Sequence, residues 1–122
     1  MAAVHEASAT AAYAHIFDAT FPLGDAREKW ASHQGEVWLA RRQQALVGFA
    51  TATEAELDGL FVLPVEEGLG IGTALLAAIA GVTRLWVLED AHAARCWYEN
   101  RGWRAGHDRQ EAYGVWELLY VR

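Results

Sequence analysis

At 122 residues the chain has the length of one domain, enough to bury about two-thirds of the surface its unfolded form exposes. With 53% hydrophobic and 21% charged residues it reads as a soluble globular protein, and no apolar run approaches the ~18 residues of a membrane-spanning helix. A net charge of −6 argues against a nucleic-acid surface, which needs a basic stripe to release counterions, and weakly favours a cationic small molecule such as an amine.

Residues 1–17 carry no basic segment ahead of an apolar core, so they do not read as a secretory signal, and the expected location is cytoplasmic. Cys96 is the only cysteine, which excludes an intramolecular disulfide and a cysteine-based metal site. It reads as a buried small hydrophobe rather than a nucleophile. The histidines His5, His15, His33, His92 and His107 show no H-E-x-x-H spacing, so no metal is expected.

In chain order, residues 7–20 read as a helix with Ser8 as its cap and Ala11, Ala14, Ile16, Phe17 and Phe21 as its apolar stripe. Pro22 and Gly24 end it, and a short helix follows at 25–33 with Asp25 as cap and Trp30 inward. The period then changes to two. Residues 36–41 and 45–52 form a hairpin about a polar turn, and a third strand spans 56–63, where alternation places Glu56, Asp58, Leu60 and Val62 on one face. A helix over 71–80 is stopped by Gly81, and residues 84–88, RLWVL, form a strand parallel to the third. Residues 91–101 are helical with Gly102 as the C-cap. Two closing strands, 103–106 and 115–121, are separated by the polar loop HDRQEAYG. No repeat, low-complexity tract or linker interrupts this order, which makes 1–122 a single domain.

The most informative stretch is 60–78, LFVLPVEEGLGIGTALLAA. A strand that passes through Gly68, Gly70 and Gly72 into a helix N-terminus leaves backbone N–H groups unpaired, backed by the positive end of the helix dipole. Such a turn seats an anion. Glycine suits it because a Cβ would hold a phosphate away from the backbone and because positive φ is required. It is not a Walker A loop, since Gly72 is followed by Thr73 and Ala74 without a lysine. A dinucleotide fingerprint would need Gly or Ala at 73 or 75, where Thr73 and Leu75 stand. Glu89 and Asp90 lie at the distance of a ribose-binding acid, but the residues after them are too few for a doubly wound domain.

Val62, Pro64, Gly70 and Gly72, with Leu69 and Ile71 at variable positions, resemble the acyl-CoA loop of the GCN5-related N-acetyltransferase (GNAT) family: a strand ending V-x-P, a spacer, then Arg/Gln-x-x-Gly-x-Gly/Ala opening a helix. A second motif, residues 97–103, WYENRGW, is similar to the family's aromatic-Tyr-x-x-x-Gly-aromatic element. The resemblance covers about residues 7–121 and is most specific over 56–103. It implies a small bacterial-type member with an α/β (α+β) fold. The sheet would be mixed, mostly antiparallel, of about six strands splayed in the middle and flanked by about four helices, with the first strand short or missing.

By the same resemblance the activity is transfer of an acetyl group from acetyl-CoA to a primary amine of a small molecule or peptide, with no metal. The pantetheine arm would pair with the backbone of Leu60, Phe61 and Val62, and Gly68, Leu69, Gly70, Ile71, Gly72 and Thr73 would hold the pyrophosphate. Tyr98 matches the tyrosine that protonates the departing thiolate. Ala91 and Ala94 share its helix face and leave room for a cofactor arm. Glu56 stands eleven positions before Glu67, the offset of the general-base glutamate in histone-type members, and Asp58 is the reserve. A solvated edge carboxylate, or one that only binds the substrate cation, is the alternative for Glu56; for Tyr98 it is a packing tyrosine.

The chain departs from the family at two places. Glu67 holds the Arg/Gln position, and Ala91 stands where Asn often reaches the pantetheine, a loss of roughly 1 kcal/mol. Glu66 and Glu67 each oppose a phosphate by about 0.5 kcal/mol at ~8 Å in water-like dielectric, less than the ~1.5 to 3 kcal/mol of one charge-assisted backbone hydrogen bond. Arg84, Arg95 and Arg101 are candidates for restoring positive charge near the nucleotide, with a solvated surface position the alternative for each. Phe21, Trp30 and Tyr113 are candidate walls for the amine. The competing readings are a non-catalytic acyl-CoA-binding protein and an interaction module that keeps only the fold. In the latter, a missing first strand would leave a sheet edge for a homodimer or partner chain.

Overall fold

In a computed structural model of the chain, which describes residues 1–13, 35–79, 81–112 and 114–122, the first helix begins earlier than its sequence pattern implies. Helix α1 spans Ala2–Tyr13, so Ser8 lies buried in its interior rather than capping it. The segment AAVHEASATAAY is rich in alanine, the best helix former, and one serine competing for backbone hydrogen bonds does not interrupt it. The expected continuation to residue 20 and the helix over 25–33, with Phe21 and Trp30, lie outside the described residues, as does Tyr113.

Six strands follow: β1 (Glu36–Arg42), β2 (Ala45–Thr53), β3 (Glu56–Val62), β4 (Arg84–Leu88), β5 (Arg104–Ala112) and β6 (Val115–Val121). They form one sheet in the order β1-β2-β3-β4-β6-β5. Helix α2 (Ile71–Ala78) connects β3 to β4, and α3 (His92–Glu99) connects β4 to β5. Every neighbouring pair is antiparallel except β3 and β4, whose crossover through α2 makes them parallel. This is the mixed, mostly antiparallel fold expected. Among the described residues no strand precedes α1.

The segment 107–112, expected as a polar loop, is part of β5 instead. It pairs with β6 from Arg109↔Leu118 to Ala112↔Val115, after an irregularity between Ala105 and Arg109. An edge strand that is exposed along most of its length needs no apolar alternation, so its sequence gives no periodic signal.

The two faces of the sheet are covered by different helices. On one, Val4 of α1 packs with Phe49 and Phe61, and the His5 ring lies 4.0 Å from that of Phe61. On the other, Leu75 and Leu76 of α2 and Ala94, Trp97 and Tyr98 of α3 pack over Ala50, Leu57, Leu85, Val87 and Tyr120.

Strand β3 does not alternate simply. The β2–β3 register shifts between Thr51 and Ala52, leaving Asp58 as the extra residue of a bulge. Leu57 consequently shares a core cluster with Leu60 and Val62, three and five residues away, which strict alternation forbids for both. Glu56 leaves the sheet on the side opposite Leu57. The expectation that Glu56, Asp58, Leu60 and Val62 share one face therefore fails, because a bulge resets the two-residue period.

Tyr120, fully buried on β6, anchors α3 to the sheet. Its hydroxyl donates to Glu99 and accepts from Arg95 Nε at 2.9 Å, while Arg95 Nη1 donates to the Glu89 carbonyl at 2.8 Å. Burial pushes the phenol above its ordinary value near 10, the bond to Glu99 adds to this, and Arg95 pulls back. A raised value in the folded state means that Tyr120 stabilises the fold fully below about pH 10 and loses that contribution as pH rises through the raised value. Tyr120→Phe is thus expected to be less stable than wild type by about 1 kcal/mol at pH 8, with the difference narrowing above pH 10. Urea denaturation between pH 8 and 11 reads this directly, and a constant difference would contradict it.

Candidate active site

The site begins where β3 and β4 part. Only Glu56↔Arg84 and Leu57↔Leu85 are paired; beyond the bulge, β3 stays with β2 and β4 with β6, so a gap opens toward their C-terminal ends. The Leu63 N–H donates to Val47 O at 2.8 Å. Backbone groups alternate sides along a strand, so Phe61 also turns its N–H and C=O to β2, while Leu60 and Val62 present theirs to the gap. The Phe61 side chain lies on the α1 face with Phe49. Of the three residues expected to pair with a cofactor arm, the geometry brings two to the gap and turns Phe61 away.

At the open end of the gap the chain makes a 3-10 turn, Pro64–Glu66, and enters the glycine loop. Gly68 (φ 79°) and Gly70 (φ 81°) are left-handed, and Gly70 caps α2. A Cβ on either would meet nothing within 4 Å, so these glycines serve the backbone conformation and leave the approach to the loop open. Gly72 serves packing instead. Its Cβ would lie 3.2 Å from the Trp97 ring, and the lack of one lets α2 and α3 pack closely. Ala74 N–H bonds to Gly70 O at 3.0 Å, but the N–H groups of Leu69, Gly70, Ile71, Gly72 and Thr73 find no backbone acceptor among the described residues. Five unpaired donors in sequence at a helix start have the geometry that can seat an anion. Leu69 is exposed and Ile71 half-buried against the core.

Arg42 of β1 lies 2.9 Å from the Glu66 carboxylate, a partner with no local sequence signal because it comes from two strands away in the sheet. Of the three candidate arginines, Arg84 pairs with Glu56 at 3.3 Å and Arg95 is held by Tyr120 and Glu89. Arg101 reaches α2. Its Nε and Nη2 donate to Thr73 Oγ1 at 3.2 and 3.0 Å, its Nη1 donates to Trp97 O at 2.9 Å, and its guanidinium lies 3.8 Å from the Trp97 ring centroid.

Tyr98 is fixed by the end of its helix. Trp103 N–H donates to Tyr98 O at 3.1 Å and Gly102 N–H to Glu99 O at 3.3 Å, with Gly102 at φ 90°. This is a Schellman closure, and its accompanying apolar contact is the Tyr98–Trp103 ring pair at 6.0 Å. Trp97 meets Tyr98 edge-on at 5.0 Å. Half-buried Tyr98 and Ala94 share the core-facing side of α3. Ala91 is 2% exposed and its N–H is bonded to Leu88 O. Cys96, expected to be buried, is exposed, since α3 turns that side away from the sheet.

Glu56 stands at the closed end of the gap, one residue before pairing with β4 ceases, with its carboxylate on Arg84. Asp58 accepts from Thr53 Oγ1 at 2.6 Å. Among the described residues no group of three or more His, Cys, Asp or Glu side chains could hold a metal, and no helix is long and apolar enough to cross a membrane.

A splayed parallel pair that feeds a glycine loop and a helix is the arrangement expected from the two motifs. The family profile described as "Acetyltransferase (GNAT) domain" matches residues 33–105, more than half of the chain. The chain belongs to the GNAT family. No curated protein sequence matches it. Among solved structures, apo YjaB from Escherichia coli superposes with a TM-score of 0.78 at 20% identity, over 99% of this chain and 87% of that one. The PaiA N-acetyltransferase of Thermoplasma acidophilum in complex with coenzyme A gives 0.71 at 18%, over 99% and 90%. The ribosomal-protein-alanine N-acetyltransferase of Brucella melitensis gives 0.70 at 18%, over 99% and 90%. At these identities the neighbours show the shared GNAT fold.

Proposed function

We propose that the chain is an acyl-CoA-dependent N-acetyltransferase that moves an acetyl group from acetyl-CoA to a primary amine of a small molecule or peptide. The observation that carries this reading is the continuity of the gap with the anion seat: unpaired backbone at Leu60 and Val62 runs directly into the open N–H groups of residues 69–73. That combination suits a donor with an amide-bearing arm at one end and phosphates at the other. The PaiA neighbour is described in complex with coenzyme A.

In this reading Leu60 and Val62 hydrogen-bond the pantetheine amides, residues 68–73 bind the pyrophosphate, and half-buried Ala94 makes room for the arm, while Ala91, buried in the core, offers it no contact. Glu56, at the closed end of the gap, exchanges Arg84 for the substrate ammonium and takes its proton, since an ammonium has no lone pair with which to attack. Asp58 is the reserve base. The amine then attacks the thioester carbonyl directly, and Tyr98 gives its phenolic proton to the departing thiolate. A homodimer would pair through edge strand β1, which leaves Val37, Trp38 and Leu39 38%, 43% and 45% exposed.

A second reading, a non-catalytic acyl-CoA binder, is favoured by Ala91: buried and apolar, it withholds a side-chain hydrogen bond from the arm. A thermal-melt titration with acetyl-CoA, with adenosine as the control, tests both. At ~100 times its dissociation constant a ligand adds about 2.7 kcal/mol, a shift on the order of 10 °C for a domain of this size. The expected result is a saturable shift with acetyl-CoA, none with adenosine, and thiol release with at least one member of an amine panel. A shift without turnover on any amine would select the binder, and no shift at millimolar acetyl-CoA would overturn both readings.

A further inference from the structure

We propose that Arg101 supplies, from the end of α3, the positive charge that binds the donor's phosphate groups and so replaces the basic or amide residue that the family loop carries where this chain has Glu67; the proposal rests on the acyl-CoA reading of the site. Binding phosphate requires a cation that is close, ordered and not already neutralised. Arg42 is spent on Glu66 and Arg84 on Glu56, while Arg95 is turned into the Tyr120 network. Arg101 meets all three conditions. It lies against the first turn of α2 through Thr73, it is pinned by the Trp97 carbonyl and ring, and no carboxylate pairs with it among the described residues.

The hydrogen-bond count agrees. A guanidinium has five N–H donors in a planar fork. The three contacts to Thr73 and Trp97 leave one N–H on each terminal nitrogen for phosphate oxygens. Trp97 also packs at Gly72, so the ring that holds the guanidinium is itself held against the loop. The pyrophosphate and the 3′-phosphate of the donor offer the same chemistry to this group.

The test is equilibrium binding of acetyl-CoA and of 3′-dephospho-acetyl-CoA to wild type, Arg101→Gln and Arg101→Lys at low and moderate salt. Arg101→Gln is expected to weaken acetyl-CoA binding by about 10- to 100-fold and to flatten its salt dependence, with most of the affinity kept by Arg101→Lys. If the loss persists with 3′-dephospho-acetyl-CoA the contact is to the pyrophosphate; if it vanishes there, to the 3′-phosphate. A merely structural arginine gives a different pattern, because lysine cannot reproduce the forked contacts to Thr73 and Trp97: Arg101→Lys would then be as weak as Arg101→Gln, with the salt dependence unchanged. That pattern, or equal affinity of wild type and Arg101→Gln, overturns the proposal while leaving the acyl-CoA reading intact. Failure of the wild type to bind acetyl-CoA overturns that reading and this one with it.

Discussion

Tyr98→Phe is expected to lower kcat for acetyl transfer by about 100-fold or more, since a positioned general acid contributes ~10²- to 10⁴-fold, while the Kd for acetyl-CoA stays within about twofold. The variant keeps what positions the ring. The Schellman bonds of Trp103 and Gly102 are made to main-chain carbonyls, and the contacts with Trp97 and Trp103 are ring to ring, so phenylalanine retains them. Only the hydroxyl is lost. Steady-state kinetics paired with direct binding separate the two effects. A kcat within about threefold of wild type would assign the thiolate's proton to water and leave Tyr98 a packing residue.

Gly70→Val is expected to raise the Kd for acetyl-CoA by about 100-fold or more and to lower the Tm by several degrees. At φ 81° an L-residue pays roughly 1–2 kcal/mol, and a β-branched one more. Space is not the obstacle, because a Cβ at Gly70 meets nothing within 4 Å. The side chain instead occupies the approach to the N–H groups of residues 69–73, and the loss of two charge-assisted bonds at ~1.5 to 3 kcal/mol each accounts for the expected factor. Gly70→Ala separates the parts, since it retains most of the backbone strain with far less obstruction. If Gly70→Ala and Gly70→Val bind acetyl-CoA equally well, the anion does not sit over this loop.

On these two expectations, substrate turnover and cofactor affinity would respond to different elements, Tyr98 on α3 and the loop at the start of α2. The close approach of Trp97 to Gly72 and the bonds of Arg101 to Thr73 join these two elements.

What the sequence determines by itself is local. Glycines between an apolar strand and an aliphatic run specify a left-handed turn into a helix, because only glycine adopts φ near 80° without a steric penalty. The hairpin, the parallel crossover and the closure of α3 at Gly102 follow from periodicity and chain-length rules in the same way. These signals suffice to order the elements from β1 to β6 and to bring the 60–78 and 97–103 motifs into one site.

What only the tertiary structure decides depends on partners far apart in the chain. The bulge at Asp58 places Leu57 beside Leu60 in the core, and it arises from the pairing of two strands, not from a composition that marks it. Strand β5 is legible only as the edge partner of β6, since exposed edge residues carry no alternation. The pairing of Glu66 with Arg42, of Glu56 with Arg84 and of Tyr120 with Arg95, and the contact of Arg101 with Thr73, are set by side chains that converge from separate elements. Charge pairing acts through space over a few ångströms, and sequence spacing does not encode that distance.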